Sequence, residues 1–337
     1  MSSSLRQRRP LSLVRRRGAG SSGGDSPGAD DVFSNTRTIE LDGKRWIDIR
    51  EPNAANIDHL REEFDLHPLL LEDIMSRIQR PKIDVYDDYL FIVMQFPIHN
   101  KQTRVNVASE IDMVVGRDYF ITLHDARLKP LVNMVDAIFA SPDTAKRLME
   151  RTPGHLLHEV IDRMVDYCIP IVPQVAERVE RLEEMIFERP NLKTVQELSL
   201  VRRDIITLRR IIKPQLAVVS QLEHRDLPFV SRDIDAYWGD ISDHLGRTWD
   251  SIEDFKDVLE GLSDTYNALT SHRLNDVIKA LTMISVIVLP MTLVTGIFGM
   301  NVPLPLEGSP WALLVITAAI GLLGVLMVII FRLRRWI

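Results

Sequence analysis

The sequence predicts an α+β body that gives way to long helices and then to two C-terminal membrane-spanning helices. Three observations carry that prediction. Short apolar runs alternate with helical patterns from about Thr36 to Leu123, apolar residues at three- and four-residue spacing take over after about Pro153, and two charge-free stretches close the chain.

The body comes first. Trp46-Ile47-Asp48-Ile49, Tyr89 to Met94, Ile111 to Val115 and Tyr119 to Leu123 have the length and composition of strands. Pro52-Asn53 ahead of Ala54 to Phe64, and His67-Pro68 ahead of Leu69 to Arg77, punctuate helices, and Pro81 ends the second of these regions. Residues 32–150 are therefore assigned to an α/β domain and residues 151–276 to long helices. Val172, Val175, Val179, Leu182 and Ile186 mark an apolar helix face in the second region. Breaks are expected at Pro190, near Pro214 and around Pro228. From roughly Asp233 to Met300 only Pro290 interrupts, which predicts one helix approaching about 100 Å in length.

No Asp, Glu, Lys or Arg occurs from Ala280 to Met300 or from Trp311 to Phe331. Each run is long enough to cross a hydrocarbon core of about 30 Å as a helix, so spans are assigned to residues 277–300 and 311–331 with a loop at 301–310. Arg273 and Lys279 flank the start of the first span's charge-free run, Arg332, Arg334 and Arg335 follow the second, and the loop has no basic residue. Both termini, including the basic end at 332–337, are thus expected in the cytoplasm, with Glu307 as the outer loop's charge. Residues 1–31 hold arginine clusters and a Gly/Ser run without the apolar stretch of a secretory signal, and are expected to form a disordered basic tail. A net charge of −6 gives no reason to expect nucleic acid as a partner. The single cysteine, Cys168, reads as packing.

Two spans from one chain cannot enclose an aqueous path, so transport requires several copies. Stepping back from Asn301 at helical spacing gives Gly299, Gly296, Thr292, Leu289, Ser285, Leu281 and Asn275, a row that alternates polar and apolar residues. Mg²⁺ keeps much of its hydration shell, which amide, hydroxyl and carbonyl oxygens hold through water, while leucine rings form a dewetting constriction. The same row has a second reading, in which small residues let helices pack closely and the leucines face lipid. Before the membrane the row continues through Asp264, Asp257, Asp254 and Asp250, and Asp240 to Lys279 holds nine acidic against four basic residues. That is either a negative funnel for cations or a solvated helix face.

Phe298-Gly299-Met300-Asn301 at the close of the first span and Leu289-Pro290-Met291-Thr292 within it resemble the CorA family of divalent-cation transporters. His67-Pro68-Leu69-Leu70-Leu71-Glu72-Asp73-Ile74, Gln79-Arg80-Pro81-Lys82, Glu188-Arg189-Pro190 and Tyr237 to His244 are similar to that family as well. The resemblance implies a homopentameric funnel in a prokaryotic inner membrane, its α/β sandwich and long helices in the cytoplasm and its first span lining the pore. It implies a selectivity entrance at Gly299, Met300 and Asn301, pore positions at Gly296, Thr292, Leu289, Ser285, Leu281, Asn275 and Asp264, and a regulatory divalent site where Asp73, with Glu72, meets Asp240 of an adjacent subunit. The implied cargo is Mg²⁺, with Co²⁺ or Ni²⁺ as further ions. Many magnesium-transporting relatives carry Met-Pro-Glu-Leu in the outer loop, whereas this chain reads Val302-Pro303-Leu304-Pro305-Leu306-Glu307. A Zn²⁺ transporter resembling ZntB is accordingly the competing reading, followed by a non-transporting, membrane-anchored interaction protein. Enzymatic function ranks below these: His155-Leu156-Leu157-His158-Glu159 has neither metalloprotease order, and no Gly-x-x-x-x-Gly-Lys-Ser/Thr stretch occurs.

Overall fold

The computed structural model describes residues 12–14, 34–76, 79–188, 191–300 and 310–334. The chain forms two compact units, residues 1–261 and 262–337. The first contains strands β1 (Ser12–Val14), β2 (Thr36–Leu41), β3 (Lys44–Arg50), β4 (Lys82–Val85), β5 (Tyr89–Asn100), β6 (Val105–Gly116) and β7 (Tyr119–His124). It also contains helices α1 (Ala54–Phe64), α2 (Pro68–Met75), α3 (Lys129–Ala140), α4 (Pro142–Met149), α5 (Pro153–Cys168), α6 (Ile171–Glu188) and α7 (Leu192–His224). Helix α8 (Asp235–Phe298) begins in this unit and ends in the second, which also holds α9 (Ala312–Leu333).

The strands form one sheet in the order β1-β2-β3-β7-β6-β5-β4, with all neighbours antiparallel except β3 and β7. The parallel β3–β7 pairing needs a crossover, and the chain from α1 through β6 supplies it. Ile57 and Leu60 of α1 and Leu70, Leu71 and Ile74 of α2 are buried with Ile47, Ile49, Phe91, Val93, Ile121 and Leu123, so these two helices cover one face. The spacing of three and four between the helical positions is what lets a single stripe meet the sheet. Caps fix where the two helices start. Asn53 and Asn56 form a reciprocal capping box on α1, and His67 Nδ1 accepts from the Leu69 N–H while Pro68 occupies the first turn of α2.

Inside the sheet lies a buried polar chain. Asp48 accepts from Thr122 Oγ1 at 2.8 Å and from His124 Nε2 at 3.0 Å, Arg50 Nε reaches its other oxygen at 3.1 Å, and Trp46 Nε1 donates to Thr122 Oγ1 at 3.1 Å. The Ala126 N–H donates to His124 Nδ1, which leaves Nε2 to carry the proton toward Asp48. Burial alone would raise the Asp48 pKa, but these hydrogen bonds and the nearby positive charge outweigh it and hold the carboxyl below its ordinary value.

The four strands expected from composition are present as parts of β3, β5, β6 and β7, and α8 is continuous as the scarcity of proline predicts. Two features differ. Ser12–Val14, inside the tail expected to be disordered, pairs as β1 with the otherwise open edge of β2, Leu13 opposite Ile39. Pro214 does not break its helix, because α7 runs through it with Ile211, Ile212, Val218 and Val219 all buried around it. Tertiary packing there outweighs the roughly 3 kcal/mol that an interior proline costs. Residues 129–149 supply the helix pair α3 and α4 at the end of the region assigned to the α/β domain. The expected break at Pro190 lies outside the described residues, as do most of the basic tail, the loop from Asn301 to Ser309 and the residues from Arg335 onward.

Candidate functional site

In the second unit the candidate pore residues fall on one side of α8. At about 100° per residue, Asp264, Asn275, Leu281, Ser285, Leu289, Thr292, Gly296 and Gly299 occupy an arc of about 120° on an ideal helix. The face that meets α9 is the opposite one: Ile287 and Met291 line a crevice with Gly321, Gly324, Val325 and Val328. A Cβ on Gly324 would collide with Met291 Cε, so glycine permits the close approach. The stripe itself is uncovered by this chain, with Leu281 64% and Leu289 67% exposed.

The chemistry of the stripe is that of a weak oxygen donor. Thr292 Oγ1 donates to the Val288 carbonyl at 2.9 Å, which orients its lone pairs outward to accept. At the end of α8 the Gly299 N–H donates to Thr295 O at 3.0 Å and Gly296 O at 3.2 Å, and Met300 N–H to Ile297 O at 3.2 Å. This tightened last turn uses part of the acceptor capacity of the Gly296 carbonyl. The helix C-terminus carries partial negative charge on its remaining carbonyls, favourable to cations. Asn301 and Glu307 lie outside the described residues.

In the first unit Glu72 and Asp73 sit on α2, and Asp240 on the first turns of α8. Glu72 is exposed. Asp73 is half-buried and engaged: Lys82 Nζ of β4 lies 2.6 Å from its Oδ2 and 2.6 Å from Asp84 Oδ2. Burial opposes the Lys82 charge, but the two carboxylates outweigh it and raise its pKa. Asp240 is exposed, 3.7 Å from His244 Nε2, and His244 Nδ1 stands 3.5 Å from Asp166 Oδ1 of α5. Asp166 was not singled out from sequence, since it lies 74 residues from Asp240 and only the packing of α5 against α8 reveals the pairing. Among the described residues no group of three or more His, Cys, Asp or Glu is placed to hold a metal ion.

Among the described residues, an α/β body and long helices are joined to two helices apolar and long enough to cross a membrane, the composition of a two-span membrane protein. The model of the family described as "CorA-like Mg2+ transporter protein" matches residues 42–335, and the chain belongs to that family of divalent metal-ion transporters, which is not a class of enzymes. It is 29% identical to the cobalt/magnesium transport protein CorA of Thermotoga maritima over 87% of this chain and 83% of that protein. It is 22% identical to the zinc transport protein ZntB of Yersinia pseudotuberculosis over 76% of each. Its fold matches the complete structure of the CorA magnesium transporter from Methanocaldococcus jannaschii with a TM-score of 0.77 at 20% identity, covering 88% of this chain and 93% of that one.

Proposed function

We propose that this chain forms a homopentameric channel of the inner membrane that admits Mg²⁺, and with it Co²⁺ or Ni²⁺, down the electrochemical gradient. The observation that carries this reading is the position of the small and polar stripe of α8 on the face opposite the one packed on α9. Around a central axis that arrangement turns Thr292, Ser285 and Asn275 toward water and leaves α9 outside. Gly299, Met300 and Asn301 form the outer entrance, Leu281 and Leu289 the apolar constriction, and Asp264 an inner carboxylate ring. Glu307 adds negative charge near the mouth. Both termini are cytoplasmic. Asp73, with Glu72, faces Asp240 of a neighbouring copy, where bound Mg²⁺ screens carboxylates and holds the ring closed; its loss releases their repulsion. Asp166 belongs to that cluster through His244.

Mg²⁺ is favoured over Zn²⁺ because the identity to a cobalt/magnesium transporter exceeds that to ZntB. Reconstitution into liposomes tests the assignment. Mg²⁺ entry without a proton gradient is expected, Asn301→Ala should reduce it sharply, and Asp73→Ala with Asp240→Ala should weaken closure by Mg²⁺ on the cytoplasmic side. Proton-dependent Zn²⁺ uptake with no Mg²⁺ flux would replace the reading with that of a zinc transporter, and absence of any divalent flux would leave only a membrane-anchored protein.

A further inference from the structure

In the first unit a cavity of about 620 Å³ lies between the C-terminal end of α2, strands β5 and β6, and the residues that follow β7. Its polar wall is built on β6, where Glu110 and Asp112, two residues apart, face the same side of the sheet. Asp112 stands opposite Val93 on β5 and Leu123 on β7, both core residues, so a carboxylate occupies a position that the pattern of the sheet reserves for an apolar side chain. It is only 5% exposed, and its Oδ1 has no hydrogen-bond partner among the described residues. A buried carboxylate oxygen without a partner is costly, and such groups mark places where something else is bound.

Glu110 is partly satisfied: its Oε2 accepts from the Gln79 N–H at 2.6 Å and from the Gln95 amide at 3.4 Å. Among the described residues no cation pairs with it. Of the other charged groups in the wall, Arg127 is spent on Asp125, at 2.7 Å through Nε, and Glu51 adds a further negative charge. Burial raises the Asp112 pKa well above the carboxylate range. The charges of Glu110 and Asp73 add to this, and Lys82 opposes it only in part. Ile74, Met75 and Leu123 add a hydrocarbon strip to the wall, beside the polar Ser76, Gln95 and His124. That combination fits a ligand with an alkyl body better than a bare metal ion, and the volume lies in the range of small-molecule pockets, about 300–1,000 Å³.

We propose that this cavity binds a small organic cation bearing primary ammonium groups on an alkyl chain, with one ammonium seated between Glu110 and Asp112. The ammonium supplies donors to the unpartnered Asp112 Oδ1 and to the remaining lone pairs of Glu110, and the chain lies along Ile74, Met75 and Leu123. Burial disfavours the ionised form of Asp112 and the cation favours it, so binding is coupled to proton release from this carboxyl. The proposal is independent of the ion that the pore passes, so its failure leaves the transport reading untouched.

Calorimetric titration of the full chain in detergent micelles with spermidine, at millimolar Mg²⁺ and in two buffers of different ionisation enthalpy, tests it. Saturable binding at one site per chain with proton release is expected. Asp112→Asn should weaken binding about tenfold, the size of effect expected on losing a charge-assisted hydrogen bond, and should remove the proton release. Its melting temperature should not fall, because an amide replaces a buried unpaired acid. Glu110→Gln, which keeps an acceptor for the Gln79 N–H, should weaken binding as well and decides the matter if Asp112→Asn does not fold. Absence of saturable binding, equal affinity in the variants, or competitive displacement by Mg²⁺ overturns the proposal, the last by making the cavity a metal site.

Discussion

Lys82 is the residue that bears most directly on the carboxylates proposed as regulatory. It bridges Asp73 and Asp84 at 2.6 Å each, so a divalent cation arriving at Asp73 competes with an ammonium already in place. Its side chain is about one-third exposed, which keeps the ion pair modest in strength. Lys82→Gln should therefore lower the Mg²⁺ concentration for half-inhibition of flux by about two- to tenfold, as expected for removal of a partly exposed competitor, while maximal flux at low Mg²⁺ stays the same. An unchanged half-inhibition would show that the cation does not displace Lys82 from Asp73. The sequence displayed Glu72, Asp73 and Lys82 in a recognisable order but not this bridge, which exists only because β4 folds back alongside α2. Asp112 was equally hidden. In a strand reading Ile111-Asp112-Met113 it looks like an ordinary outward polar residue, and only the cover supplied by α2 turns its face inward.

At the scale of elements, composition was a good guide wherever burial and pattern agree. Strands β5 and β6 were legible because long runs of β-branched and aromatic residues are buried along them. Strand β4, four residues long at the sheet edge, and β2, with Ile39 and Leu41 as its only buried positions, carry too little apolar signal to stand out. Proline misled at Pro214 for a related reason, since its local cost is fixed but the packing of the surrounding helix is not visible in a local window. Contacts between elements also separate two glycines that look alike in sequence. A Cβ at Gly154, in the first turn of α5, would strike the backbone carbonyl of Phe229 and reach within 3.1 Å of Val230 Cα. Phe229 is held at φ 69°, so that backbone has little freedom to retreat. Gly154→Ala is expected to cost about 1–3 kcal/mol through overpacking. Gly324→Ala meets only the flexible end of Met291 and should cost less. Melting temperatures of the two variants in detergent check the contrast, and equal shifts would contradict it.

For the whole molecule the decisive fact is what one chain leaves uncovered. None of the most apolar window of α8, and 6% of that of α9, is buried within the chain. Lipid covers leucines at no cost, but it offers no partner to the remaining acceptor capacity of the Ser285 and Thr292 hydroxyls within the span, for which water or protein is required. Helix α9 is not that cover, because it packs on the other face of α8 through Met291 and Gly324. Copies arranged with their stripes inward resolve the conflict, with water along the axis and α9 toward lipid. Five is the number implied by family resemblance, since nothing in a single sequence counts subunits. Native mass spectrometry of the solubilised chain should accordingly give a five-chain mass. The direction of the stripe is tested separately in a Cys168→Ser background, which removes the only native thiol. In membranes, Leu289→Cys should form oxidative cross-links between copies, whereas Leu322→Cys, 71% exposed on α9, should not. Cross-linking through Leu322 but not Leu289 would place α9 at the axis and reverse the assignment of the pore helix.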